Sequence, residues 1–71
     1  LVQGVIDCLF KDERGWVLVD YKTDHLDSDE EFHKRYEIQL NLYKRAIEQI
    51  FAEPVSAVYV YSFYLQRIID F

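Results

Sequence analysis

The sequence predicts an α/β fold: an antiparallel strand pair, one long amphipathic helix, then one or two further strands. Three observations carry this. Two apolar runs of strand-like composition flank a short polar turn. A long stretch then repeats apolar residues at helical spacing. A run rich in Val and Tyr follows the chain's single proline.

The first run is Val5-Ile6-Asp7-Cys8-Leu9-Phe10 and the second is Trp16-Val17-Leu18-Val19-Asp20-Tyr21-Lys22. Lys11 to Gly15 reads as the turn between them, short enough to make the pair antiparallel. Asp27 or Ser28 is placed to cap a helix, with Glu30 or Glu31 three residues on, as in a capping box. The helix is expected from about Asp29 to Phe51. Tyr36, Leu40, Tyr43, Ile47 and Ile50 recur along it, flanked by Gln39, Leu42 and Ala46. Lys34, Arg35, Glu37, Lys44, Arg45 and Glu48 occupy the other side, so the apolar side should pack on a sheet. Pro54 ends the helix, Val55 to Phe63 reads as a strand, and Gln66-Arg67 turns the chain into Ile68-Ile69-Asp70-Phe71. Internal repeats and low-complexity segments are not evident.

At 71 residues this is one domain at most. Hydrophobic residues make up 51% and aromatic residues 17%, more aromatic surface than so short a core needs. The excess is expected to face something outside these residues, and the chain reads as a fragment of a larger protein. A net charge of -5 argues against a freestanding nucleic-acid-binding domain, for which a basic patch is the usual footprint. Part of that acidity is local, in Asp24, Asp27, Asp29, Glu30 and Glu31, and reads as a solvated loop entering a helix N-terminus. The lone cysteine, Cys8, has no internal disulfide partner; it is expected to be a buried, inert thiol in a reducing cytoplasm. The sequence shows no signal peptide, no membrane-length apolar stretch and no phosphate-binding Gly-Lys loop.

Chemistry is concentrated in the first two strands. Asp is depleted in strand interiors, and one placed there loses hydration unless a cation or donor compensates it. Asp20 and Lys22 are separated by one residue and so share a strand face, while Asp7 lies on the adjoining strand. Two carboxylates and the Tyr21 backbone carbonyl are hard oxygen donors of the kind that Mg²⁺ or Mn²⁺ accepts. A divalent ion there would neutralise a phosphodiester and activate a bound water, with Lys22 stabilising developing charge. A metal-free Asp–Lys ion pair is the competing reading. Gln39 and Tyr43, four residues apart, point from one helix face toward this sheet. Taken by themselves, Tyr36 and Tyr43 are core aromatics and Gln39 an interface amide that needs a partner.

Three strings in order carry a resemblance: Gly4-Val5-Ile6-Asp7, Val19-Asp20-Tyr21-Lys22-Thr23, and Tyr36-Glu37-Ile38-Gln39-Leu40-Asn41-Leu42-Tyr43. Together they resemble the RecB-type nuclease module of the PD-(D/E)XK superfamily, nearest to the nuclease domain at the C-terminal end of AddA-type helicase–nuclease subunits. The resemblance spans nearly the whole chain. It implies a restriction-endonuclease-like core with a mixed sheet, and residues 1–71 as part of the nuclease domain of a larger multidomain protein. It further implies Asp7 and Asp20 as metal ligands with the Tyr21 carbonyl beside them, and Lys22 as the catalytic lysine. Gln39 and Tyr43 would belong to the family's helix motif near the active site, with Tyr36 matching more loosely. Mg²⁺ is the implied cofactor, with Mn²⁺ able to substitute. The implied partners are DNA, helicase domains of the same parent chain and a second nuclease subunit of AddB-like type, with no membrane. The implied function is an exonuclease module acting in double-strand-break repair and recombination. The alternative is a non-catalytic DNA-binding or subunit-docking module that keeps the fold. The family places a further metal ligand, His or Glu, on a helix before the first strand. That helix is not in this sequence, and His25 and His33 follow the second strand, so neither takes its place.

Overall fold

A computed structural model describes residues 8–71. The elements are β1 (Cys8–Lys11), β2 (Trp16–Lys22), α1 (Asp29–Phe51), β3 (Val55–Ser62) and β4 (Arg67–Asp70). They form one four-stranded sheet in the order β1-β2-β3-β4. β1 and β2 pair antiparallel, β2 and β3 parallel, and β3 and β4 antiparallel. The α/β class and the mixed sheet are both as expected.

Local chemistry explains the connections. In the β1–β2 turn the Asp12 carboxylate accepts from the amides of Arg14 and Gly15 at 2.9 and 3.1 Å, an Asx turn. Gly15 has φ +146°, and a Cβ there would lie 2.5 Å from the Pro54 carbonyl oxygen. That carbonyl accepts from the Trp16 amide at 3.0 Å, so the hairpin and the α1–β3 junction meet at a point where only glycine fits.

Ser28 caps α1, its hydroxyl accepting from the Glu31 amide at 3.3 Å, while the Glu31 carboxylate accepts from the Asp27 amide at 2.9 Å. Of the two expected cap residues Ser28 is the one used. At the other end Ala52 takes the left-handed conformation, φ 53°. The helix serves as the crossover that parallel pairing of β2 and β3 requires. Among the described residues no helix is long and apolar enough to cross a membrane.

One face of the sheet and one stripe of α1 make the core: Leu18, Val55, Val58, Val60 and Ile69 against Phe32, Leu40, Tyr43 and Ile47. Two expectations need correction, one on the helix stripe and one on Cys8. Ile50 and Leu42 are exposed, and Phe51 rather than Ile50 anchors the helix end, stacking on Trp16 at 4.4 Å. Phe32, directly after the acidic helix entry and not singled out by the sequence, is also fully buried. Cys8 is half-buried rather than buried, because it lies on the sheet face that α1 leaves open. Gly4, Asp7 and the start of the first run lie outside the described residues.

Candidate active site

Asp20 is the core's one charged residue among those described, 2% exposed in the middle of aliphatic neighbours on β2. Its strand position explains why: Leu18, Asp20 and Lys22 alternate onto the helix-covered face, opposite Val58, Val60 and Ser62 of β3. Lys22 Nζ lies 2.9 Å from Asp20 Oδ2, with side-chain exposures of 18% and 3%. Burial alone would lower the pKa of Lys22, but the hydrogen bond and charge of Asp20 outweigh it and raise the pKa above its ordinary value.

The helix supplies the second wall. Lys22 Nζ sits over the Tyr36 ring, 4.2 Å from its centroid. Tyr36 in turn donates its hydroxyl to Asp24 Oδ1 at 2.7 Å, and Asp24 Oδ2 lies 3.4 Å from Arg35 Nε. Burial and then the Asp24 hydrogen bond raise the pKa of Tyr36, so the phenol stays neutral. Gln39 Nε2 donates to the Tyr43 hydroxyl at 3.0 Å, and Tyr43 also contributes to the electrostatic environment of Lys22. The partner that Gln39 needs is therefore Tyr43, within the same helix.

The structure thus brings together Asp20, Lys22, Tyr36 and Tyr43, with Gln39 bonded to Tyr43. Tyr21 points to the opposite face, edge-on to Tyr61 and Phe63, and pairs with Tyr61 in the parallel ladder. The two histidines lie elsewhere: His25 stacks on Tyr64 and His33 on Phe71, with His33 Nε2 2.6 Å from the Asp70 carbonyl. By sequence Asp24 is one member of a solvated acidic run. Its tie to Tyr36 is a contact across twelve residues that no local spacing signals.

The donors present partly fit a metal. Asp20 offers a hard, buried carboxylate at a strand end, the donor chemistry that Mg²⁺ prefers. Among the described residues no three His, Cys, Asp or Glu side chains converge. Asp7, the second acidic candidate, lies outside the described residues.

Comparison with known proteins bears on the same residues. Residues 1–67 match the PD-(D/E)XK nuclease superfamily. The chain is similar to an ATP-dependent helicase/nuclease subunit of Oceanobacillus iheyensis, 45% identical over 99% of this chain and 6% of that protein. It is 50% identical to the subunit of the same name from Clostridium perfringens, over 93% of this chain and 5% of the relative. The like-named protein of Anoxybacillus flavithermus is 51% identical over 89% of this chain and 6% of its own length. The chain therefore spans only about a twentieth of the length of the curated relatives it matches.

Proposed function

The chain belongs to the PD-(D/E)XK nuclease superfamily, and from that premise we propose that it is the nuclease module of an ATP-dependent helicase–nuclease. The module hydrolyses DNA phosphodiesters, as an exonuclease, in double-strand-break repair and recombination. The observation that carries this reading is the buried Asp20 held 2.9 Å from the Lys22 ammonium at the end of β2, walled by the helix residues Tyr36 and Tyr43.

The roles are those the family resemblance implies, and the contacts of Asp20 and Lys22 support them. Asp20 would hold Mg²⁺ or Mn²⁺ together with Asp7 and the Tyr21 carbonyl. When bound, the ion supplies charge neutralisation at the phosphate and a more acidic water. Lys22 presents a cation where negative charge grows on the phosphate, in surroundings dry enough to strengthen the attraction. Gln39 and Tyr43, an amide and a phenol already bonded to one another, would hydrogen-bond the DNA backbone. Helicase domains of the same polypeptide and a second nuclease subunit would deliver the DNA.

The test is cleavage of end-labelled single- and double-stranded DNA by the full-length protein, in Mg²⁺ and in EDTA. Metal-dependent cleavage that Asp20→Ala and Lys22→Ala each reduce by about 10³-fold or more is the expected result. Normal cleavage by both variants would sink the assignment. The exposed aromatic face around Tyr21, Phe63 and Ile68 favours one second reading, a DNA-binding or subunit-docking module without catalysis. A folded wild type that binds DNA and never cuts it would establish that alternative.

A further inference from the structure

We infer that Asp24 and Tyr36 are positioning residues that act in series on Lys22, an inference that rests on the nuclease reading above. The structure places three contacts in a row: Asp24 Oδ1 accepts from the Tyr36 hydroxyl at 2.7 Å, and the Tyr36 ring carries Lys22 Nζ 4.2 Å from its centroid. Lys22 Nζ then reaches Asp20 Oδ2 at 2.9 Å.

The physical need is for a second anchor. A lysine ammonium is a compact charge on a flexible four-carbon stem. Its first anchor, Asp20, is also the residue assigned to the metal, so its charge is shared. The electron-rich face of an aromatic ring holds an ammonium without competing for that carboxylate. A tyrosine side chain can swing about χ1, and the hydrogen bond from its hydroxyl to Asp24 ties down the far end of the ring. Packing does not require this bond. Tyr36 is only half-buried, so water would satisfy its hydroxyl equally well. Phe32 packs against the ring, with centroids 6.3 Å apart. Asp24 is also paired with Arg35, but that guanidinium is largely exposed and adds little. Asp24 lies two residues beyond Lys22, so the chain leaving β2 returns a carboxylate to fix the orientation of the lysine it has just placed.

The test is steady-state DNA cleavage by the full-length protein carrying Asp24→Ala, Tyr36→Phe, the double substitution, Tyr36→Leu and Lys22→Ala, with thermal melting run beside it. Tyr36→Phe keeps the ring and loses the hydrogen bond; kcat should fall about fivefold to tenfold with KM unchanged. Asp24→Ala should match it, and the double variant should be no slower than either single one. Tyr36→Leu removes the ring and should lose roughly 100-fold in kcat. Should that variant fail to fold, the Phe and Ala pair still decides the matter. Multiplying losses in the double variant would show that Asp24 acts independently of Tyr36, and a rise in KM at constant kcat would move both residues to DNA binding. Either overturns the inference, as does a normal kcat in Tyr36→Leu. A wild type as inactive as Lys22→Ala would instead take down the nuclease reading, and the inference with it.

Discussion

The two faces of one sheet carry different kinds of surface on the same strands. Toward α1 the side chains are aliphatic and dry: Leu18, Val60 and Ile69 are at most 1% exposed. Away from it, at the Tyr21 end of β2, they are aromatic and wet: Tyr21 is 47% exposed and Phe63 52%, meeting Tyr61 edge-on, while Val17 at the other end is buried. The charged pair sits on the dry face. An ion pair on the open face would be screened and worth little, whereas the aliphatic wall around Asp20 strengthens every charge interaction near it. Strand alternation alone, residue by residue, thus keeps chemistry on one side of the sheet and contact on the other.

Substitutions can break that contrast. The largest expected loss is on the dry side, where Phe32→Ala empties the helix–sheet seam at a cost of about 3–5 kcal/mol, seen as a lower urea midpoint. Gly15→Ala attacks the junction that aligns the strands; positive φ and the Pro54 carbonyl together make it cost about 1–3 kcal/mol, measured in the same way. Ser28→Ala unties the cap of the helix that makes the dry face dry and should cost about 1 kcal/mol. Tyr21→Ser, on the open face of β2, should stay within about 0.5 kcal/mol although it neighbours two site residues. A loss as large as that of Phe32→Ala would show that the open face is part of the core.

The faintest effect is in alkaline solution. Lys22 and Tyr36 both have pKa values raised above their ordinary 10.5 and 10.0. For each, the folded state favours the protonated form, so its contribution is complete below the ordinary value and is lost as pH rises through the folded one. Thermal stability should therefore be level with respect to these groups through neutral pH and fall above about pH 10, with a shallower fall in Tyr36→Phe.

What the sequence reveals of this molecule depends on range. The helix limits, the Ser28 cap and the strand runs are local signals, readable from neighbouring residues. Asp20 and Lys22 stand out because an acid within a strand is costly wherever the strand lies. Phe32 escapes such a reading because it follows three acidic residues, Asp29 to Glu31, in the first helical turn, where charge hides an apolar position. Ile50 fits the period but is exposed, and periodicity does not reveal that Phe51 is the residue that meets Trp16. The parallel pairing of β2 with β3 has no local signature and enters only through the family resemblance. Asp24 is hidden for the same reason: its partner lies across a loop.

That parallel pairing also imposes an order in time. Residues 16–22 of β2 find their ladder partners only at 55–62, so the pairing closes a loop that holds the whole helix. Contacts of such sequence separation form slowly, because loop entropy is lost before any bond is gained. Lys22 is one wall of the site, Tyr36 and Tyr43 lie within the crossover, and Val60 and Ser62 floor it from β3. As the polypeptide is made, the hairpin and helix can form early from local contacts. The enclosure of the ion pair must wait for β3, so an unfinished chain carries Asp20 and Lys22 in water rather than beside Val60 and Ser62.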